Sequence, residues 1–390
     1  MQVTGGFSAP TARQEAPGRD RRHDLREVLW RVSSDKGLRG CGKSVLAGGV
    51  TPMAKGGVAY FAGVATCGKV HICPCCGAKI RAARSDELQA AGTAWECRKC
   101  GLAMMTLTMR HYERQALRTL VGQQRDAWRL AFGQNAGREW RTLKSDMGIE
   151  GFVRAWECTH GPNGWHPHYH VLFFLRQPWT AAQGEEVQRV AFRLWAGALE
   201  RVGAYLPLEF DEDGRPVGVR VDVAGRGEGG VLSRYLMKFQ DGKAGWTVGD
   251  ELTRQDIKVG TGGHRTPFEI LRDFRETGDA HDLELWQEFE AGAFNLRALY
   301  WSQGMRAKLR DLVELDDRTD AEIAAEQQDG EPLAVILAET WYAHVVRHDG
   351  RALALLRAAE SLGAVGVRTL IESWGLVWGR DVLPAPTTQE

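Results

Sequence analysis

The pattern of apolar and polar residues predicts alternating strands and helices in the middle of the chain. Short apolar runs and two-residue alternation predict strands at residues 102–109, 151–158, 168–175 and 217–223. Apolar residues at helical spacing predict helices at residues 25–32, 113–132, 181–202 and 231–239. Hairpin-length gaps between these elements favour an α+β fold, in which helices cover one face of a central antiparallel sheet and the other face can hold a site.

The two ends of the chain differ from this central part in their pattern of polar and apolar residues. Residues 1–40 are polar, and we expect a flexible tail that leads into a short helix. Residues 261–390 are predicted to be helical, with a helix that starts near Pro267. Within them, residues 311–331 carry nine acidic side chains and a single base, which is typical of a solvated linker. The predicted organisation is therefore a tail (1–40), a cysteine-rich module (41–101), a core (102–260) and a helical C-terminal region (261–390).

The charge of the chain is unevenly distributed, although the formal net charge is zero. Residues 1–150 contain 24 Lys and Arg against 13 Asp and Glu, a balance of +11, so the remainder carries −11. This asymmetry predicts that the basic part binds a polyanion. The sequence has neither an apolar run of about 18 residues nor an apolar signal core. We therefore expect a cytoplasmic protein with no membrane partner.

Three histidines at a two-residue period predict a metal site. His166, His168 and His170 precede a solid apolar run, so at least His168 and His170 project from one face of a strand. Glu157, near the end of the preceding predicted strand, is the best placed third ligand, and His166 can join if the strand starts early. His111 and His160 are alternative third ligands.

The cysteines predict a second, structural metal site in a reducing compartment. All of the eight cysteines except Cys158 lie in residues 41–101. Two C-x-x-C pairs, Cys73 with Cys76 and Cys97 with Cys100, are separated by twenty residues, which is the spacing of a zinc ribbon. Spacing alone does not decide which four cysteines bind the ion.

A tyrosine and a lysine share one face of the predicted helix at residues 231–239. Tyr235 and Lys238 are three positions apart, and the lysine could supply positive charge to a phenolate or to a phosphate. By itself such a pair is an ordinary surface feature. Only the order of the other segments suggests a functional role for it.

That order resembles the HUH endonucleases, and more narrowly the replication initiator (Rep) proteins of rolling-circle bacterial plasmids. The matching segments run from residue 41 to residue 306 and are Cys41-Gly-Lys, Thr66-Cys-Gly-Lys-Val-His-Ile-Cys-Pro-Cys-Cys-Gly-Ala-Lys-Ile, Met105-Thr-Leu-Thr-Met-Arg-His, Arg154-Ala-Trp-Glu-Cys-Thr-His-Gly, Gly164-Trp-His-Pro-His-Tyr-His-Val-Leu, Tyr235-Leu-Met-Lys and Trp301-Ser-Gln-Gly-Met-Arg. Their order is more specific than any one segment.

The resemblance implies an enzyme that nicks and rejoins one strand of a plasmid origin. In that reading the histidines and Glu157 hold Mg or Mn, and Tyr235 attacks a phosphodiester to leave a free 3′-hydroxyl and a 5′-phosphotyrosyl link. The substrate is single-stranded or hairpin DNA, because in-line attack is obstructed in a closed duplex. The sequence lacks a Walker-type nucleotide loop, so a host helicase is an expected partner.

The resemblance also bears on how the nicking cycle ends and on which cysteines bind zinc. Some relatives carry a carboxylate one helical turn before the tyrosine, but Val231 stands there, and Glu228 is the nearest acid. Tyr205 and Tyr300 are weaker candidates for a second tyrosine. The family's zinc set is Cys41, Cys67, Cys73 and Cys76, with Cys97 and Cys100 as the ribbon alternative. Basic neighbours of this module are expected to grip DNA phosphates, namely Lys69, Lys79, Arg81 and Arg84.

Overall fold

The structure is a computed structural model that describes residues 18–133, 136–223, 263–315, 317–327 and 329–385. Its strands in these ranges are β1 Gly49–Lys55, β2 Val58–Ala62, β3 Gly101–Leu107, β4 Ile149–Gly161, β5 Gly164–Leu175, β6 Val219–Val223, β7 Tyr300–Trp301, β8 Glu331–Pro332, β9 Ala334–Leu337 and β10 Val382–Pro384. Its helices are α1 Gly18–Val32, α2 Lys36–Gly40, α3 Pro74–Cys97, α4 Leu117–Ala131, α5 Arg138–Asp146, α6 Ala181–Arg201, α7 Pro267–Thr277, α8 Ala280–Ala293, α9 Met305–Arg310, α10 Asp320–Ala325, α11 Ala338–Thr340 and α12 Arg351–Ser373.

The central sheet is antiparallel, with strand order β6-β3-β5-β4-β7. The predicted α+β class is therefore confirmed. At its centre, β4 and β5 form a long hairpin that places Glu157 opposite His168. The sequence predicted a longer turn here, but the hairpin closes tightly because Gly164 adopts a φ of +83°, which a residue with a Cβ rarely does.

Each face of the central sheet has its own apolar core. One face packs against α4, α5 and α6 through large aromatic residues such as Trp128 and Phe173. The opposite face packs against α3, whose Leu88 and Trp95 contact the apolar residues around Phe174. The prediction that helices cover one face only is thus wrong. A single 24-residue helix, α3, runs from the cysteine-rich segment to the core.

A second antiparallel sheet joins segments that are far apart in the chain. Its order is β10-β9-β1-β2, and β8 also pairs with β1. Helix α12 packs on this sheet. The prediction of a purely helical C-terminal region is therefore wrong at β8, β9 and β10, and also at β7 of the central sheet. The four-residue apolar run Ala334–Leu337 has no periodicity that separates strand from helix, and its partner strand lies almost 300 residues earlier.

The acidic segment is docked on the protein, in contrast to the solvated linker that its composition predicted. Helix α10 buries Ile323 and Ala324 against α3. Asp320 accepts a hydrogen bond of 3.0 Å from the guanidinium of Arg84 on α3. Among the helices of the described ranges, none is both long and apolar enough to cross a membrane.

Candidate metal centre

The β4–β5 hairpin gathers a carboxylate and two imidazoles on one face of the central sheet. Because Glu157 lies opposite His168, and His170 follows two positions later on the same face, the three side chains converge. Oε2 of Glu157 lies 3.1 Å from Nε2 of His170 and 3.4 Å from Nε2 of His168. The three ligand atoms all lie within 4.8 Å of one another.

Both imidazoles are oriented by contacts at their other ring nitrogen. Nδ1 of His168 donates to the carbonyl oxygen of His166 at 3.3 Å, which directs Nε2 at Glu157. Nδ1 of His170 is 3.2 Å from Oγ1 of Thr106 on β3. Such contacts fix the ring plane and the tautomer of a histidine that binds a metal.

The spacing of these donors fits a small divalent cation. For bonds of about 2.1 Å, two ligand atoms at right angles are about 3.0 Å apart, and two tetrahedral ligands are about 3.4 Å apart. The distances of 3.1 and 3.4 Å from Glu157 to the two histidines fall in this range. The donor set of one carboxylate and two imidazoles suits Mn, Fe, Zn and Ni, so it does not identify the ion.

A further group of histidines extends from this centre. His166 lies outside the group of three ligand atoms, and its Nδ1 is 3.4 Å from Nδ1 of His111. Its ring centroid is 6.3 Å from that of His264, which directly follows the undescribed residues 224–262. Burial, with smaller contributions from His168, His111 and His264, lowers the pKa of His166 to about 3.

The alternative third ligands lie elsewhere. The ring of His160 packs edge-on against Trp165, with 4.8 Å between centroids. The backbone of His160 pairs with that of Arg265. His111 contacts His166 and is not one of the three grouped ligands.

The cysteine sulfurs form a second cluster. Cys41, Cys67, Cys73 and Cys76 place their sulfur atoms within 4.8 Å of one another. The Sγ atom of Cys41 is 3.7 Å from that of Cys73 and 3.5 Å from that of Cys76, and the Sγ atoms of Cys67 and Cys76 are 3.8 Å apart. A zinc–sulfur bond of about 2.3 Å gives tetrahedral sulfurs about 3.8 Å apart, so the cluster fits a structural zinc ion.

The zinc-ribbon alternative does not fit this geometry. Cys76 lies in the first turn of α3, whereas Cys97 is the last residue of that helix. At 1.5 Å per residue the two are separated by roughly 30 Å, so they cannot bind one ion. Cys97 and Cys100 are free thiols in the structure, and Cys97 is exposed.

A buried arginine packs beside the cysteine cluster. Arg26 on α1 is only 8% exposed, and its Nη2 donates to Nδ1 of His23 at 3.2 Å. Burial disfavours its charge, but the thiols of Cys75 and of the cluster outweigh it and raise the pKa of Arg26. Gly42 makes room for this side chain, because a Cβ at that position would lie 2.3 Å from Nη1.

Two of the four bases expected to grip DNA have structural roles instead. Arg81 is 1% exposed and donates to the carbonyl of Val70. Arg84 is held by Glu87 and Asp320. The expectation that these two contact phosphates is therefore wrong.

The three proposed catalytic residues lie outside the residues that the structure describes. They are Tyr235 and Lys238, on the predicted helix at 231–239, and Glu228 just before it. Of the weaker tyrosine candidates, Tyr300 packs against Arg154 on the sheet face opposite to the metal ligands. Tyr205 is half exposed and packs edge-on against Tyr112.

The sequence reasoning missed two neighbours of the site. Thr106 lies in a segment that carried the family resemblance, but no role was assigned to it. His264 gave no sequence signal, and it is placed by the backbone pairing of Arg265 with His160. Gly161 permits this approach, since a Cβ there would lie 2.4 Å from Nδ1 of His264.

Comparison with known proteins agrees with a role in replication. Residues 60–202 match a family described as "Replication protein". Over 376 residues the chain is 27% identical to "Protein rep" of Streptomyces lividans, which covers 80% of this chain and 79% of that protein. These similarities support a replication protein. A segment of 151 residues is also 28% identical to a "Neomycin resistance protein" of Streptomyces cyanogenus, over 33% of this chain and 35% of that one. No solved structure matches the chain significantly.

Proposed function

We propose that this protein initiates rolling-circle replication of a plasmid by nicking and rejoining one strand of the origin. The observation that carries the proposal is the convergence of Glu157, His168 and His170 on one sheet face, in a chain similar to replication proteins. Such an activity needs a divalent cation beside a phosphodiester and a nucleophile that can reach it. The HUH-type architecture is part of the same proposal.

Glu157, His168 and His170 would hold Mg or Mn. A bound divalent ion polarises the scissile phosphate and stabilises the charge that develops on it. The contribution of the chain is to fix the ligands before the substrate arrives. Thr106 and the carbonyl of His166 hold the two imidazoles with Nε2 directed at the carboxylate.

Tyr235 is the proposed nucleophile. Its phenol oxygen forms a bond to phosphorus and loses its proton, while the bond from phosphorus to the 3′-oxygen breaks. The leaving oxygen takes up a proton and becomes the 3′-hydroxyl that primes synthesis. Phenol is about 0.1% ionised at neutral pH, so Lys238 is proposed to stabilise the phenolate by its positive charge. Rejoining is the reverse reaction, in which a 3′-hydroxyl attacks the phosphotyrosyl phosphorus and the tyrosine leaves. Glu228 is proposed to end the cycle by taking a proton from a water molecule that hydrolyses the last phosphotyrosyl link.

The remaining assignments concern zinc and DNA. Cys41, Cys67, Cys73 and Cys76 would bind a structural zinc ion that ties the start of α3 to the loops before it. The substrate is origin DNA in single-stranded or hairpin form, opened with the help of supercoiling or a host helicase. We propose that these steps occur in the cytoplasm of the host cell.

A covalent-complex assay tests the proposed chemistry. The protein is incubated with Mn and a single-stranded oligonucleotide from the plasmid origin that is labelled at its 3′ end, and the products are separated under denaturing conditions. A slowly migrating protein–DNA band is expected. It should be absent for Tyr235→Phe, which removes only the phenol oxygen.

Tyr342→Phe is the matched control, because it makes the same change at an exposed tyrosine outside the central sheet. It should give the band at the wild-type level. Survival of the band in Tyr235→Phe would show that Tyr235 is not the nucleophile, and loss of the band in the control would show that the effect of Tyr235→Phe is not specific. The double variant His168→Ala with His170→Ala should abolish cleavage, whereas His281→Ala, an exposed histidine on α8, should not.

A further inference from the structure

A large cavity lies beyond β7, the edge strand of the central sheet. We call it the edge pocket; its volume is about 710 Å³, and it is enclosed by residues 67–72, 293–301 and 317–321 together with Arg84 and Arg306. Small-molecule sites have volumes of about 300 to 1,000 Å³, so the edge pocket has room for a nucleotide. It also contains Trp301 and Arg306, the ends of a sequence motif that the proposed chemistry does not use.

The lining of the edge pocket is basic. Its charged residues are Lys69, Arg84, Arg297, Arg306 and Arg318, against Asp317 and Asp320, a formal balance of +3. Two of these cations are bound to the buried carboxylate of Glu87, at 2.8 Å for Arg84 and 2.6 Å for Arg306. Lys69 instead donates to the amide oxygen of Asn295 at 3.3 Å, and Arg297 is exposed. These last two are the cations best able to meet an incoming phosphate.

The partly buried indole of Trp301 lines the same space. Its Nε1 is fully buried, so this nitrogen does not open into the edge pocket, and a ligand there meets only the exposed part of the ring. The guanidinium of Arg306 lies 5.6 Å from the centroid of the indole ring. A cation and an indole side by side are typical of sites that bind a nucleobase and its phosphate.

The edge pocket wraps around the sheet edge beside β4, with Trp301 on the face of the metal ligands and Tyr300 on the opposite face. Trp301 pairs with Val153 on β4, and its ring centroid is 6.1 Å from that of Phe174. Val153 and Glu157 project from the same face, because they are four positions apart on one strand. At about 3.3 Å per residue, Trp301 is roughly 13 Å along the strand from Glu157. One DNA strand could span both sites within a few nucleotides.

We propose that the edge pocket binds one nucleotide of the single-stranded origin, a few positions from the cleaved phosphodiester. The base packs against the exposed part of the Trp301 indole, while Lys69 and Arg297 contact the phosphate. The inference rests on the proposed function, because it assumes that origin DNA is the substrate. It adds a subsite that anchors the strand independently of the metal ligands.

The test measures binding without cleavage. A fluorescent origin oligonucleotide is titrated with the zinc-loaded protein in the absence of added Mg or Mn, at several salt concentrations. Each phosphate contact on a single strand contributes about 0.7 to the slope of log K against log salt, so Lys69→Ala with Arg297→Ala should reduce that slope by about 1.4. The matched control, Arg125→Ala with Arg129→Ala, removes the same charge from the exposed face of α4 and should leave the slope unchanged. Trp301→Leu should weaken binding about tenfold through the lost stacking of the base.

Photo-crosslinking locates the contact. Each base of the oligonucleotide is replaced in turn by 5-iodouracil, and the adducts are mapped by mass spectrometry. One position is expected to crosslink to Trp301 or Tyr300. Adducts at other residues only, together with unchanged affinity and salt slope in the pocket variants, would overturn the inference.

The two proposals fail separately in these experiments. Cleavage through Tyr235 with no contact at the edge pocket would refute the subsite and leave the chemistry intact. Binding and crosslinking at the pocket with no covalent band would refute the chemistry and leave the subsite intact.

Discussion

Oε2 of Glu157 lies 3.1 Å from Nε2 of His170, although the register of the β4–β5 hairpin places Glu157 opposite His168. The carboxylate therefore reaches both imidazoles of its neighbouring strand. This arrangement depends on the hairpin register, because a shift by one residue would move every side chain of one strand to the other sheet face.

Thr106→Val should weaken binding of the divalent ion. The substitution keeps the shape of the side chain but removes Oγ1, which is 3.2 Å from Nδ1 of His170. Loss of a partner that orients a ligating histidine typically reduces metal affinity by about 10- to 100-fold. Titration with Mn, followed by electron paramagnetic resonance, measures this. Thr369→Val, on an exposed part of α12, is the control. Equal affinity in the two variants would contradict a role for Thr106.

Cys41→Ser should release the structural ion, whereas Cys97→Ser should retain it. The sulfur of Cys41 is within 3.7 Å of two other sulfurs of the cluster, while Cys97 lies at the far end of α3. Binding of a structural zinc ion contributes directly to folding, so the first variant should also unfold at a lower temperature. Elemental analysis of the purified variants gives the zinc content. Zinc loss from Cys97→Ser alone would contradict the assignment.

Gly42→Ala should destabilise the protein by more than about 2 kcal/mol. Gly42 has a φ of +65°, a conformation that costs a non-glycine residue about 1 to 2 kcal/mol, and its added Cβ would also displace Arg26. Gly56→Ala is the control, since Gly56 has a φ of +56° with nothing within 4 Å of the added atom. Urea denaturation of both variants isolates the contribution of the Arg26 contact. Equal losses would show that this contact is unimportant.

Glu87→Leu should destabilise the protein by about 3 kcal/mol. The side chain of Glu87 is 1% exposed and binds two guanidiniums, and removing one partner of a buried ion pair leaves uncompensated charge. Glu186→Leu removes a carboxylate from an exposed pair with Arg189 at the same three-residue spacing. Its cost should be below about 1 kcal/mol. Equal decreases in the free energy of unfolding of the two variants would show that the buried ion pairs of Glu87 contribute no more than an exposed pair.

Local patterns in the sequence were sufficient for the candidate metal ligands. Two histidines at a two-residue period on an apolar strand must share a face, and a carboxylate on the preceding strand is brought beside them by a hairpin. The same reasoning located β3, β4, β5 and β6 of the central sheet, but not β7, and helices α4, α6 and α7, of which α7 has a proline in its first turn.

The tertiary structure decided what depends on contacts between distant segments. Spacing alone left two sets of cysteines open, and the length of α3 separates Cys97 from the cluster that contains Cys76. Charge alone predicted a solvated acidic segment and DNA-binding arginines, but α10 docks on α3 and satisfies Arg84. Strand β9 also gave no local signal, because a short apolar run becomes a strand only when a partner such as β1 accepts its hydrogen bonds. Periodicity determines which face a side chain occupies, whereas the partner that it meets is determined by the packing of the whole chain.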